Sequence, residues 1–186
     1  MTVTVVGIGG SVRPDSQSER AMQAALAGAE EAGAKVHAIA GNRLGVLPFY
    51  DPDVTNRSSV ATELIEALRT ADGVVLASPG YHGTVSGLIK NALDYVEDLR
   101  DDERVYLDGR AVGCIGLAYG WQASVSTMQA LRSVVHALRG WPTPLGGAVN
   151  SAETRFGHGG SCEDPKAVQN LRTIGHQVVD FANKQV

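Results

Sequence analysis

The feature that most constrains the fold is a regular alternation of short apolar runs with stretches whose apolar residues recur every three or four positions. The runs lie at 3–9, 35–40, 73–78, 111–118 and 143–149. Helical patterns fall at 19–32, 60–71, 85–99 and 124–138, with a last one at 165–182. In the third helix Val85, Leu88, Ile89, Ala92, Leu93, Val96 and Leu99 form one apolar face. Val125, Met128, Leu131, Val135 and Leu138 repeat the spacing in the fourth. The runs at 3–9 and 73–78 are apolar throughout instead of alternating, as expected of parallel strands covered by helices on both faces. Five such strand–helix units without a break in composition predict one doubly wound α/β domain over residues 1–186.

Charge and cysteine usage narrow the chemistry. The formal net charge is −4 and the Lys and Arg residues are scattered, which argues against nucleic acid and an anionic membrane as partners. No apolar stretch is long enough to span a membrane, and residues 2–9 read as a strand with no basic leader, so a cytoplasmic protein is expected. Cys114 and Cys162 give neither a disulfide framework nor a metal-ligand spacing. Cys114 is expected to be a small buried hydrophobe, and Cys162 to be exposed in a Gly-rich loop. The five histidines are too dispersed for a metal cluster.

In open parallel sheets, ligands bind beyond the carboxyl ends of the strands, where the strand order reverses. For the order 2-1-3-4-5 this point lies between strands one and three, which directs attention to the loops at 10–18, 79–84 and 119–123. The first reads Gly10-Ser11-Val12-Arg13-Pro14-Asp15-Ser16-Gln17-Ser18, between a strand and a helix. It gathers amides, three serine hydroxyls and a guanidinium at a helix N-terminus, where unpaired N–H groups and the helix dipole favour an anion. Arg13 adds a planar fork for two phosphate oxygens, so a phosphate monoester is the expected ligand. Ser16-Gln17-Ser18-Glu19 also fits a capping box, which needs no ligand, with Arg13 then a solvated loop residue. The segments 42–59, with Pro48 and Pro52, and 150–164, with Gly157, Gly159 and Gly160, are loops of a length that is usually functional or mobile.

The third strand runs into Pro79-Gly80-Tyr81-His82-Gly83-Thr84-Val85-Ser86-Gly87-Leu88-Ile89-Lys90-Asn91-Ala92-Leu93-Asp94. This run resembles P-x-Y-x-G-[ST]-x-x-G-x-x-K-N-A-[LI]-D, and Gly10, Ser11, Arg13 and Ser16 resemble G-S-x-R-x-x-S. Together the two motifs resemble those of the NADPH-dependent FMN reductase family, and the order of the other elements extends the resemblance over most of the chain. It implies a flavodoxin-like, doubly wound, five-stranded parallel sheet of order 2-1-3-4-5 with helices on both faces. It implies further that Ser11, Arg13, Ser16, Gln17 and Ser18 hold the FMN phosphate, and that Pro79, Gly80, Tyr81, His82 and Gly83 line the isoalloxazine. Tyr119, Gly120 and Gln122 are candidates for ribityl or ring contacts. Many members carry Glu where this chain has Gly80, and a Gly-Gly-rich loop where it has Tyr119-Gly120-Trp121-Gln122-Ala123. Trp121 either narrows the space over the ring or packs against a subunit.

The activity implied is hydride transfer from NADPH or NADH to FMN, followed by electron transfer to a small-molecule acceptor. That acceptor is a quinone, azo, nitro or metal-oxyanion compound, or else free flavin feeding a monooxygenase partner. No catalytic acid, base or nucleophile and no metal site is assigned, although His82 is a candidate proton relay. Gly7-Ile8-Gly9-Gly10-Ser11-Val12 lacks the last glycine of a dinucleotide fingerprint, and Arg43, Arg110 and Arg155 are all candidates for a 2′-phosphate. Family members commonly associate through the helix at 85–99, implying a homodimer or homotetramer with Asp94 and Tyr95 facing the partner. Lys90 and Asp94 alternatively pair with each other. The rival readings are a non-enzymatic flavodoxin-type electron carrier, although the T-x-T-G-x-T loop of such carriers is absent, and a domain binding another phosphate ligand or serving only in assembly.

Overall fold

Successive residues of the central strands serve two different cores. The computed structural model describes residues 2–158 and 161–185. Strands β1 (Thr4–Gly9), β2 (Lys35–Ile39), β3 (Gly73–Tyr81) and β5 (Ala111–Ala118) are the centre of a sheet ordered β2-β1-β3-β5. Val6, Ile8, Val74, Leu76, Val112 and Cys114 point into a core roofed by α3 (Ser59–Thr70), α4 (Gly87–Asp94) and α5 (Trp121–Ala137). Val5, Val75, Ala77, Ile115 and Leu117 point into another, roofed by α1 (Gln17–Glu31) and α6 (Pro165–Ala182). Burial on both faces is why these runs carry no polar alternation.

The sheet departs from the expected five strands. It has seven, because the last expected strand is two short segments, β6 (Trp141–Pro142) and β7 (Gly147–Asn150), and a short β4 (Thr84–Val85) pairs antiparallel with the end of β3. Both edge segments pair with β5. Pro142 and Pro144 have no N–H to give to a ladder, and side chains take over between the segments. Thr143 Oγ1 donates to Leu145 O at 2.8 Å, and the Leu145 amide donates to Gln177 Oε1 at 3.0 Å. The 42–59 loop contains a short helical turn, α2 (Asn42–Gly45). In the 150–164 loop, Gly159 and Gly160 lie outside the described residues.

The helix expected at 85–99 is shorter and in two parts. Ser86 caps α4, and a 3₁₀ stretch, Tyr95–Leu99, follows it. Tyr95 does not face outward as the interface reading required. It is 3% exposed, donates its hydroxyl to Pro48 O at 3.1 Å and meets the Tyr50 ring edge-on at 5.2 Å. Asp94 pairs with Lys90 at 2.5 Å. Cys114 is fully buried, and burial pushes its thiol pKa up to about 12. Cys162 is half-buried, not exposed, and its Sγ accepts from the Asp164 amide at 3.4 Å.

Ser86 ties the two sequence motifs together. Its hydroxyl donates to Gly10 O at 2.7 Å and accepts from the Ile89 amide at 3.2 Å, while its own amide donates to Ser78 Oγ at 3.0 Å. Ser86→Ala removes a helix cap and orphans a carbonyl in a dry setting. It should cost roughly 2–3 kcal/mol, about 5–10 °C in Tm. A thermal melt within a degree or two of wild type would show the stitch to be unimportant.

Candidate functional site

The loops after β1, β3 and β5 meet at the carboxyl end of the sheet, on the side where the order reverses. The first begins at Gly10, whose amide donates to Ala77 O at 2.7 Å, and bends through Asp15 at φ 57°. Ser16 caps α1, accepting from the Glu19 amide at 3.2 Å, and its hydroxyl lies 3.1 Å from that of Ser18. The capping-box reading holds in modified form, because Glu19 reaches back to the Asp15 amide at 3.0 Å and not to that of Ser16. Capping and anion binding are compatible here. The Gln17 and Ser18 amides belong to the first helical turn, below which there are no carbonyls to accept from them.

Arg13 is exposed and makes no ion pair among the described residues, in contrast to Arg20. Arg20 grips both Asp15 oxygens, at 2.8 and 2.6 Å. That hydrogen bonding holds the Asp15 carboxyl below the usual carboxylate range. The loop therefore presents one free guanidinium and neutralises its own acid. Ser11, Arg13, Ser16 and Gln17 line an open cavity of about 450 Å³, together with Tyr81 and Ser151.

Tyr81 belongs to a hairpin arm. Tyr81 pairs with Thr84 across a two-residue turn, His82-Gly83, at φ 49° and 92°. Positive φ at both central residues is what a type I′ turn demands, hence Gly at the second. The x-G within the motif is thus the signature of a projecting arm, with Tyr81 56% exposed at its base. Gly83 and Gly120 both have open space where a Cβ would stand, so a flat group can approach their backbones. Gly80 is different. A Cβ there would sit 2.3 Å from Thr127 Oγ1 in α5, so the absent carboxylate is explained by close helix packing and not by the mouth of the cavity.

The third loop supplies Tyr119 and Gln122, both exposed, beside Gly83 in a second cavity of about 380 Å³. Its conformation depends on Asn150, which sequence reading did not single out. The buried Asn150 side chain accepts from the Gly120 amide at 2.8 Å and donates to Glu153 at 2.7 Å, and Glu153 in turn accepts from the Trp121 indole at 3.1 Å. The remaining expected positions fall as follows. Pro79 stays in the β3–β5 ladder. Gln17 lines the cavity, but its side chain is taken up by Phe156. Arg43 pairs with Glu63, Arg155 is exposed, and Arg110 lies buried before β5, at the opposite end of the sheet from the site. Arg110 therefore cannot meet a 2′-phosphate. Among the described residues no group of three or more His, Cys, Asp or Glu is placed to hold a metal, and no helix is long and apolar enough to cross a membrane.

A family model described as NADPH-dependent FMN reductase matches residues 3–154. An FMN-dependent NADPH-azoreductase of Staphylococcus aureus is 29% identical over 134 residues, covering 71% of this chain and 68% of that protein. Among solved structures, FerB, a flavoenzyme NAD(P)H:(acceptor) oxidoreductase from Paracoccus denitrificans, superposes with a TM-score of 0.78 at 23% identity over 99% of both chains. A flavodoxin, WrbA-like protein from Agrobacterium tumefaciens superposes at 0.66, with 20% identity over the whole of both chains. At these identities the two structures establish the flavodoxin-like fold.

Proposed function

The chain belongs to the NADPH-dependent FMN reductase family, and from that premise we propose that it retains FMN at the three-loop site and reduces a small-molecule acceptor there. It is an NAD(P)H-dependent flavin oxidoreductase. The observation that carries the placement is the convergence of Ser11, Arg13, Ser16 and Tyr81 on one cavity at the reversal of strand order. The donor set suits a phosphate monoester: two neighbouring hydroxyls, free helix amides and an unpaired guanidinium. FMN, when bound, supplies the chemistry, accepting hydride from a reduced nicotinamide and passing electrons on.

The chain's own residues position and expose. Ser11, Arg13, Ser16 and Ser18 hold the phosphate, with Gln17 contributing its amide. Pro79, Gly80, Tyr81, His82 and Gly83 form one wall of the ring slot, and Tyr119, Gly120 and Gln122 border the other. The open backbones at Gly83 and Gly120 support this reading, since a flat ring needs close approach. No side chain is required as catalytic acid. The built phosphate cradle favours FMN as a resident group, with a quinone, azo, nitro or metal-oxyanion acceptor, over release of reduced flavin to a monooxygenase. The whole chain acts as one FMN-binding domain in a homodimer or homotetramer. In such an assembly the outer edge of α4, at Gly87 and Lys90, is available to a second copy, and Tyr95 is not.

An absorbance spectrum of the purified protein, followed by anaerobic NADPH and then NADH, tests the reading. Flavin bands that bleach promptly are expected. A colourless protein that oxidises NAD(P)H only with added FMN would make FMN a substrate, and bound flavin that stays oxidised would favour the carrier.

A further inference from the structure

Gln17 sits between the two hydroxyls proposed for the phosphate, yet its side chain makes a two-way clasp with a segment 139 residues away. Its Nε2 donates to Phe156 O at 2.9 Å and its Oε1 accepts from the Phe156 amide at 2.7 Å. Arg20, one helical turn on, also donates to Phe156 O, at 2.7 Å, while its other nitrogens hold Asp15. The far half of the clasp is anchored in the core. The Phe156 ring is 1% exposed and packs in the core beneath α1 and α6, and its backbone bridges to Cys162. His158 adds a contact to Asp15 at 2.8 Å, although it is largely exposed and contributes little.

Resting on the FMN reading above, we propose that Gln17 and Phe156 form a positioning clasp that preorganises the first turn of α1 for the cofactor phosphate. Ser16 and Ser18 flank Gln17 in the chain, so fixing the Gln17 side chain against the core fixes the direction in which their hydroxyls and the first-turn amides face. A loop held this way in the free protein loses less conformational freedom when the phosphate arrives, and affinity rises by that amount. Both polar atoms of the Gln17 side chain are taken by Phe156, so the clasp acts only through the cradle it orients, and its effect is confined to ligands that carry a phosphate.

The test uses the full chain stripped of flavin, with FMN and riboflavin as probes. Gln17→Met keeps length and helix propensity while removing both hydrogen bonds. Titrations followed by flavin fluorescence should show FMN bound about tenfold more weakly, riboflavin changed less than twofold, and the Phe156 amide exchanging faster with deuterium. Gln17→Leu, read in the same way, should match. Equal weakening of FMN and riboflavin would reduce Gln17 to a general structural role and overturn the proposal. So would an unchanged FMN affinity, or a wild-type Phe156 amide with no protection. A wild-type protein that binds neither flavin overturns the FMN reading together with the clasp, whereas wild-type FMN binding with an unshifted FMN-to-riboflavin ratio in the variants overturns the clasp alone.

Discussion

Arg110→Met should lower the stability of the folded protein by about 3–5 kcal/mol, the largest loss expected from any single side chain outside the site. Arg110 is 1% exposed and faces no carboxylate within salt-bridge distance among the described residues. Instead its guanidinium donates to Ala71 O at 2.9 Å, Arg69 O at 2.8 Å and Tyr106 O at 3.1 Å. Two of these carbonyls lie at the C-terminal end of α3, where no further helix amide remains to donate to them and the helix dipole favours a cation. Burial pushes the Arg110 pKa down to about 10, still far above neutrality, so the group is charged at neutral pH. Methionine refills the stem but takes their donor from the part-buried Arg69 and Tyr106 carbonyls and leaves Ala71 O with Arg104 alone, at 3.1 Å. For a domain of this size the loss corresponds to a fall of roughly 10–15 °C in Tm. Arg110→Lys, with three donors on a point, should recover only part of it. A melt of Arg110→Met within 3 °C or so of wild type would mean that those carbonyls find other donors.

Arg13→Ala should weaken FMN binding by about 10–100-fold, through loss of a charge-assisted pair with the phosphate. Riboflavin affinity and Tm should stay close to wild type, because Arg13 is exposed and its side chain bonds to nothing else among the described residues. The dependence of FMN affinity on salt should also flatten, since one of the contacts being screened has gone. Unlike the Gln17 variants, Arg13→Ala should leave the Phe156 amide as protected as before, which separates a residue that touches phosphate from one that orients the loop. Equal FMN affinity in wild type and variant would remove Arg13 from the site.

The layers and the loops that matter were legible in the chain, because both follow from local spacing. Period-three-and-four patterns and unbroken apolar runs depend on neighbours a few residues apart, and they located the five long helices and four of the five expected strands, but not the short turn α2. The hairpin arm had a local signal in His82-Gly83, within the stretch 79–84 that the sequence marks as a loop, though not as a hairpin. The break in the edge strand had one in Pro142 and Pro144. Other features had none. Whether Tyr95 faces a partner or Tyr50, whether Arg110 meets a ligand or the end of α3, and whether Gln17 bonds phosphate or Phe156 are choices among partners far apart in sequence. Packing makes those choices, since a buried polar group must be paired by whatever the fold brings within hydrogen-bond reach. The sequence by itself determined the two-sided sheet and a loop rich in hydroxyls and amides at its carboxyl end. Only the tertiary structure decided which polar side chains serve that loop and which are consumed in holding the fold, because hydrogen-bond partners are assigned by three-dimensional proximity and not by spacing along the chain.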